Sequence, residues 1–298
     1  MGPTDSLVAS PDRRFRRAAA DSSVTRSVWI MSLQKNRRAW CAGGLLMLLT
    51  GVALVGPLLA PHNPLLPAGG AFMSPGHGGF LLGSDSIGRD ELSRVLFGVR
   101  TSWFSALGVI ASGVVVGATI GLVAGASGGR IDEVLMRLTD AFLALPGPVL
   151  AIAVVAALGP SLIHTLVAVS VVWWPFYARI VRGEVRALAA RPHLEAARLA
   201  GATRMALMAR HLLPGAVPAI VVTASLDVGN LILTLSGLSF LGLGAPAPAP
   251  ELGAMAARNL PYLLQNWWVS VMPALAIFIL AFASNTAGDL LRDSFRDT

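Results

Sequence analysis

Apolar residues gather along this chain in long stretches, with few of the polar interruptions that give a soluble helix or strand its second face. A helix rising about 1.5 Å per residue needs roughly 20 such residues to cross the hydrocarbon layer of a bilayer. Six stretches approach that length: residues 40–60, 102–126, 134–158, 163–181, 215–238 and 267–287. Pro61, Pro64 and Pro67 with a glycine-rich stretch at 69–83 mark one irregular loop between them, and Pro246, Pro248 and Pro250 mark another. The pattern predicts an all-α integral membrane protein with six transmembrane helices.

Composition agrees. Of 298 residues, 54% are hydrophobic and 13% are charged, whereas soluble domains carry about 25% charged residues. Little chain is left over for a separate soluble domain. The single cysteine, Cys41, excludes an intrachain disulfide framework and a cysteine-rich zinc site.

The net charge of +7 would suit nucleic acid, but its placement suits a membrane better. With alternate loops assigned to opposite sides, one side holds 8 basic residues before residue 39, 2 in 127–137, 7 in 179–210 and 2 in the tail. The other holds 3 in 61–101 and 1 in 239–266. Basic residues concentrate in cytoplasmic loops, so both termini are expected in the cytoplasm, and no nucleic-acid partner is expected. Residues 1–38 then form a basic cytoplasmic segment, in which 24–40 could lie flat at the interface. Its length and charge do not suit a cleaved signal peptide, and the apolar run that follows is expected to stay as the first span. Residues 39–288 form the transmembrane domain and 289–298 a cytoplasmic tail.

Gly113, Gly117, Gly121 and Gly125 recur every four residues in the second stretch. On a helix they share one face, where a neighbouring backbone can approach closely; helix packing is their expected role.

The cytoplasmic loop at about 182–214 is the most distinctive polar segment. Pro192 suits a first helical turn and Gly201 the left-handed residue just past a helix end. Between them Glu195 favours the positive helix start. Ala196, Ala197 and Ala200 keep the rod slender, and Leu194 and Leu199 offer apolar knobs. Such a rod suits a groove on a partner, or equally the surface of its own bundle.

Nucleotide machinery is missing. A phosphate-binding Walker loop needs a Gly-Lys pair before Ser or Thr, and the one lysine, Lys35, lies between Gln34 and Asn36. Asp227 stands deep in the fifth stretch, where an ionisable group marks a pathway, a polar helix contact or a proton route. His62 and His77 share a loop without further ligands, and no metal site is expected. Ser161 and His164 lack the setting of a hydrolase pair.

Several ordered segments resemble one family. Glu195-Ala196-Ala197, Gly201 and Leu213-Pro214 are similar to the "EAA" loop of bacterial ABC importer permeases. Gly83-Ser84-Asp85, Gly88-Arg89-Asp90 and Gly98-Val99-Arg100 resemble the outer-loop signature of the dipeptide, oligopeptide and nickel permeases. Gly129-Arg130-Ile131-Asp132, Asp140, Tyr177-Ala178-Arg179, Arg182-Gly183-Glu184 and Ser239-Phe240-Leu241-Gly242 continue the likeness, closest to the second, C-type permease. Gly215 and Leu252 depart from the family's usual asparagine and tryptophan. The resemblance implies a type I permease fold in the bacterial cytoplasmic membrane and no catalysis by this chain. It implies a homologous second permease, two cytoplasmic ATPase subunits that hold ATP and Mg, and an extracytoplasmic solute-binding protein. Residues 195–214 would contact an ATPase, with peptides or nickel and other metal chelates as cargo. The competing readings from the residues alone are a proton-coupled carrier and a receptor-like membrane module.

Overall fold

A computed structural model describes residues 37–296; residues 1–36, with most of the basic segment and of its expected interfacial stretch, and the last two residues lie outside the described part. The described chain is helical, with isolated bridges at His77–Phe80 and Ser84–Asp90 in place of any sheet. Five helices are long and apolar enough to cross a membrane: α1 (Arg37–Leu59), α2 (Glu91–Ser127), α5 (Leu162–Ala189), α7 (Arg204–Phe240) and α9 (Trp268–Phe295, continuing to Arg296). The tail expected from residue 289 begins as a continuation of α9. Short helices α6 (Pro192–Leu199) and α8 (Leu252–Arg258) sit in the loops on either side of α7.

The third apolar stretch departs from expectation. Residues 134–158 are not one straight span: α3 (Gly129–Leu143) and α4 (Gly147–Leu158) meet at 83°. Two physical causes coincide. Pro146 and Pro148 have no N–H to donate and crowd the preceding turn, so α3 stops and a new helix starts with proline in its first turn. Arg130, Asp132, Glu133, Arg137 and Asp140 also make α3 strongly two-faced, whereas α4 is apolar all round.

Helix ends follow local chemistry. Asp90 caps α2, accepting from the Ser93 N–H at 2.9 Å and its hydroxyl at 2.5 Å. Gly128 and Gly129, at φ +62° and +55°, turn the chain out of α2 into α3. Glu251 caps α8 through the N–H groups of Gly253 (3.1 Å) and Ala254 (3.0 Å). Burial pushes this carboxyl above its ordinary range, and those two donors work against the shift. Pro214 cannot complete a hydrogen bond one turn back, and the residues just before it, Met208–Leu212, form a π turn.

One apolar core joins α1, α2, α4, α5, α7, α8 and α9 around Trp103, Val109, Val169, Leu231, Ile232, Leu252 and Met255. A second, smaller core lies where α5, α6 and the start of α7 converge, around Val181, Val185, Leu194, Leu207, Leu212 and Ala216.

Candidate functional site

The second core positions the loop that the sequence singles out. α5 runs into α6 through a two-residue link, Ala190 and Arg191, and the N–H of Leu194 donates to the Arg191 carbonyl at 3.0 Å. Leu194 is 2% exposed, so it turns inward, against the expectation that it stands out as a knob beside Leu199. Its burial is worth about 1.5–3 kcal/mol and fixes which face of the rod looks out. That face carries Glu195, Ala196, Ala200 and Leu199, the last 86% exposed, while Ala197 is half-buried.

The rod ends abruptly. Gly201 takes φ +85°, and the N–H of Ala202 reaches back to the Ala197 carbonyl at 3.1 Å, closing a glycine-capped helix end. A Cβ at Gly201 would meet nothing within 4 Å, so the requirement there is conformational and not steric. Thr203 starts the next helix by accepting from the Ala206 N–H at 3.2 Å. Leu213 and Pro214 follow on an exposed part of α7.

The loop is tied to the bundle through α5. Gly113, Gly117, Gly121 and Gly125 of α2 all face it: a Cβ at Gly113 would lie 3.3 Å from the Tyr177 ring and one at Gly125 2.7 Å from Val185. At Gly117 and Gly121 it would fall on the carbonyl oxygens of Trp174 and Ala178. On another side of α5, Asp132 of α3 accepts from Arg182, through Nε and through Nη2 at 2.8 Å, and from Arg186. Asp140 pairs with Arg179 at 2.6 Å. Asp132 and Arg182 stand in separate motifs of the sequence, with nothing local to join them. Their signal was the spacing of Arg179, Arg182 and Arg186, which puts three guanidinium groups along adjoining turns of one helix.

The glycine- and aspartate-rich motif lies at the opposite end of α2. Asp85 accepts from the N–H groups of Ile87 (3.0 Å) and Arg89 (2.9 Å) and from Arg89 Nε (2.6 Å). Gly83 and Gly88 both take φ +83°; a Cβ on Gly83 would sit 2.6 Å from Trp268 Nε1, and one on Gly88 would fall on the Gly69 carbonyl. Arg94, 3% exposed, joins the two loops at this end by donating to the carbonyls of Pro64 (2.8 Å) and Pro248 (3.4 Å). Neighbouring Glu91 is fully buried with neither carboxylate oxygen hydrogen-bonded. These residues therefore fold a loop onto a helix end, far from α6. Among the described residues no group of three His, Cys, Asp or Glu, His62 and His77 included, is placed to hold a metal.

Asp227 lies in the middle of α7, half-buried, accepting from Trp173 Nε1 at 3.2 Å. The Tyr177 hydroxyl approaches it without completing a well-formed hydrogen bond. The structure thus separates three groups of residues: the α6 loop at one end, the Asp85 motif at the other, and Asp227 between them.

Comparison with known proteins gives this arrangement a context. Residues 117–297 match the family described as the binding-protein-dependent transport system inner membrane component. Residues 23–71 match the N-terminal transmembrane domain of oligopeptide transport permease C. The chain is 38% identical to a D,D-dipeptide transport permease of Escherichia coli, over 84% of each chain. It is 40% identical to a di/tripeptide transport permease of Pseudomonas aeruginosa, over 85% of this chain and 86% of that one. In fold it resembles the inward-facing MetNI methionine ABC transporter, with a TM-score of 0.55 at 23% identity, covering 67% of this chain and 95% of that chain. Five spanning helices, a bent sixth pair, a capped loop helix and these relatives agree: the chain belongs to the binding-protein-dependent transport family and is a multi-pass permease subunit of an ABC importer, not an enzyme.

Proposed function

We propose that this permease carries di- or oligopeptides inward, driven by ATPase subunits that engage its α6 loop. The relatives at 38–40% identity are named for dipeptides and tripeptides, which supports a peptide cargo over nickel or a metal chelate. The carrying observation is the build of α6: one face is pinned by Leu194, the other presents Glu195, Ala196 and Leu199, and Gly201 stops the helix. A short rod with an idle apolar and acidic face, at the end of the bundle richest in arginine, suits a groove on a cytoplasmic ATPase.

In this reading both termini and α6 face the cytoplasm, with residues 1–38 and 289–298 as cytoplasmic segments. The Asp85 motif faces outward, toward an extracytoplasmic solute-binding protein. A homologous second permease completes the conduit, and two ATPases bind ATP and Mg below. Lipid covers apolar faces such as that of Phe278 and Phe282, which stack on α9 at 62% and 64% exposure. ATP-driven closure of the motors moves α6. Cargo binding in one state only makes the cycle directional.

The test is Gly201→Asp in the reconstituted complex. A side chain at φ +85° costs at most about 1–2 kcal/mol, and less for Asp, which tolerates this region; that is too little to prevent membrane insertion, yet the change sets a carboxylate at the stop of the rod. ATPase stimulation by loaded binding protein is expected to be lost while the subunits still assemble. Stimulation that survives at the wild-type level overturns the assignment, as does peptide uptake by this chain without any ATPase.

A further inference from the structure

Along α7, Ala219, Thr223, Asp227, Asn230, Thr234 and Gly237 follow at steps of three and four residues. At 3.6 residues per turn they fall within an arc of roughly 80°. None is buried, and Asn230 and Gly237 are exposed, while Val228, Gly229, Leu231 and Ile232 between them are buried in the bundle. One stripe of this membrane helix thus turns polar groups away from the core, beside exposed apolar residues such as Val221 and Leu233, where lipid alone would favour apolar side chains throughout.

The polar groups of this stripe find little within the chain. The Thr234 hydroxyl bonds its own helix, at the Asn230 carbonyl, 2.8 Å away. Asp227 has the Trp173 indole N–H at 3.2 Å, the Tyr177 hydroxyl close by and, among the described residues, no ion-pair partner. An unpaired carboxylate and a free carboxamide at this depth are unfavourable against hydrocarbon. They are satisfied if the stripe faces water and passing solute. Trp173, whose indole N–H bonds the carboxylate, packs on Phe176 of the same helix with ring centroids 5.8 Å apart, and Phe176 is 48% exposed. A carboxylate beside aromatic rings suits an organic cation: the oxygens accept its N–H groups and the rings attract its charge. Thr223 and Asn230, one turn to either side, add neutral acceptors.

We propose that this stripe is one wall of the solute conduit and that Asp227, steadied by Trp173, is its cation-recognising point, favouring cargo that carries an ammonium group such as a peptide's amino terminus. The proposal rests on the importer reading above and gives it a substrate chemistry.

The test uses the assembled complex in proteoliposomes, with the exposed Cys41 replaced by serine. Single cysteines are introduced as Asn230→Cys, Thr234→Cys and, on the apolar face of α9, Phe282→Cys. Each is reacted with a cationic and an anionic methanethiosulfonate, with and without ATP and vanadate. Cysteines 230 and 234 should react in at least one state and 282 in neither. Relative to a free thiol, the cationic reagent should be preferred at 230 by roughly tenfold, the scale of one nearby charge in a wet channel acting oppositely on the two reagents. Asp227→Asn should abolish that preference, and Asp227→Glu should retain it. Stripe cysteines that stay unreactive in both states overturn the proposal, as does a preference that Asp227→Asn leaves unchanged. A basic side chain of the second permease neutralising Asp227 would give that second result. The two readings fail separately: stripe labelling indifferent to nucleotide counts against ATPase coupling and leaves the conduit wall standing.

Discussion

α5 meets two neighbours by opposite means. Against α2 it is held by subtraction: four glycines remove side chains, and backbone packs on side chain and carbonyl along four helical turns. Against α3 it is held by charge: Asp132 sits between Arg182 and Arg186, with Asp140 on Arg179. Within lipid there is no hydrophobic drive between helices, so the glycine seam draws on close van der Waals contact and has only one register. The charged joint lies toward the wetter end, where Arg186 is 49% exposed and can exchange its partner for water. The contrast leads to the expectation that α2 and α5 would move as one body, with α3 and its bend into α4 the more readily shifted neighbour. In the coupling proposed above, a push delivered to α6 would enter α5 directly and reach α3 through these ion pairs.

The sharpest way to break this contrast is Gly121→Leu. Its side chain would fall on the Ala178 carbonyl and Val181, where neither can yield. The cost should exceed the usual 1–3 kcal/mol of overpacking, read as loss of the monodisperse peak in detergent. Next is Asp132→Ala, which leaves two guanidinium groups without their shared carboxylate. Because both arginines are partly solvated, at 26% and 49% exposure, we expect about 1–2 kcal/mol, below the 3–5 of a fully buried pair. The measurable signs are a lower melting midpoint and looser coupling of uptake to ATP hydrolysis. The double exchange Asp132→Arg with Arg182→Asp should recover part of both, and recovery of neither would remove α3 from the relay. Gly201→Ala is milder, about 1 kcal/mol for a single left-handed residue, with partial loss of ATPase stimulation. The smallest effect belongs to Arg137→Ala. Its pair with Glu133 is exposed at 78% and 58% and joins turns of the same helix, so stability and uptake should not change measurably.

Much of this was legible beforehand because membrane spans and helix caps are local. Apolar length marked α1, α2, α5, α7 and α9, and Pro192 and Gly201 enclosed α6. The break between α3 and α4 was written in Pro146 and Pro148, but the apolar residues around them masked it. What stayed hidden was tertiary. Leu194 and Leu199 look alike in sequence, and only the convergence of α5 and α7 decides which is buried. Asp132 and Arg182 stand 50 residues apart, and nothing local joins them. Glu91 resembles any polar residue in a first turn until the 60–90 loop closes over it.

The 83° bend also bears on how the protein is made. α4 has 12 residues, a length of about 18 Å, well short of the roughly 30 Å that hydrocarbon demands. On leaving the ribosome it cannot anchor itself as a lone stop-transfer segment. Ala168, Val169 and Val172 of α5 share a core with Ala151 and Val155 of α4, so α5 is expected to hold α4 in place, and the two would then settle in the bilayer together.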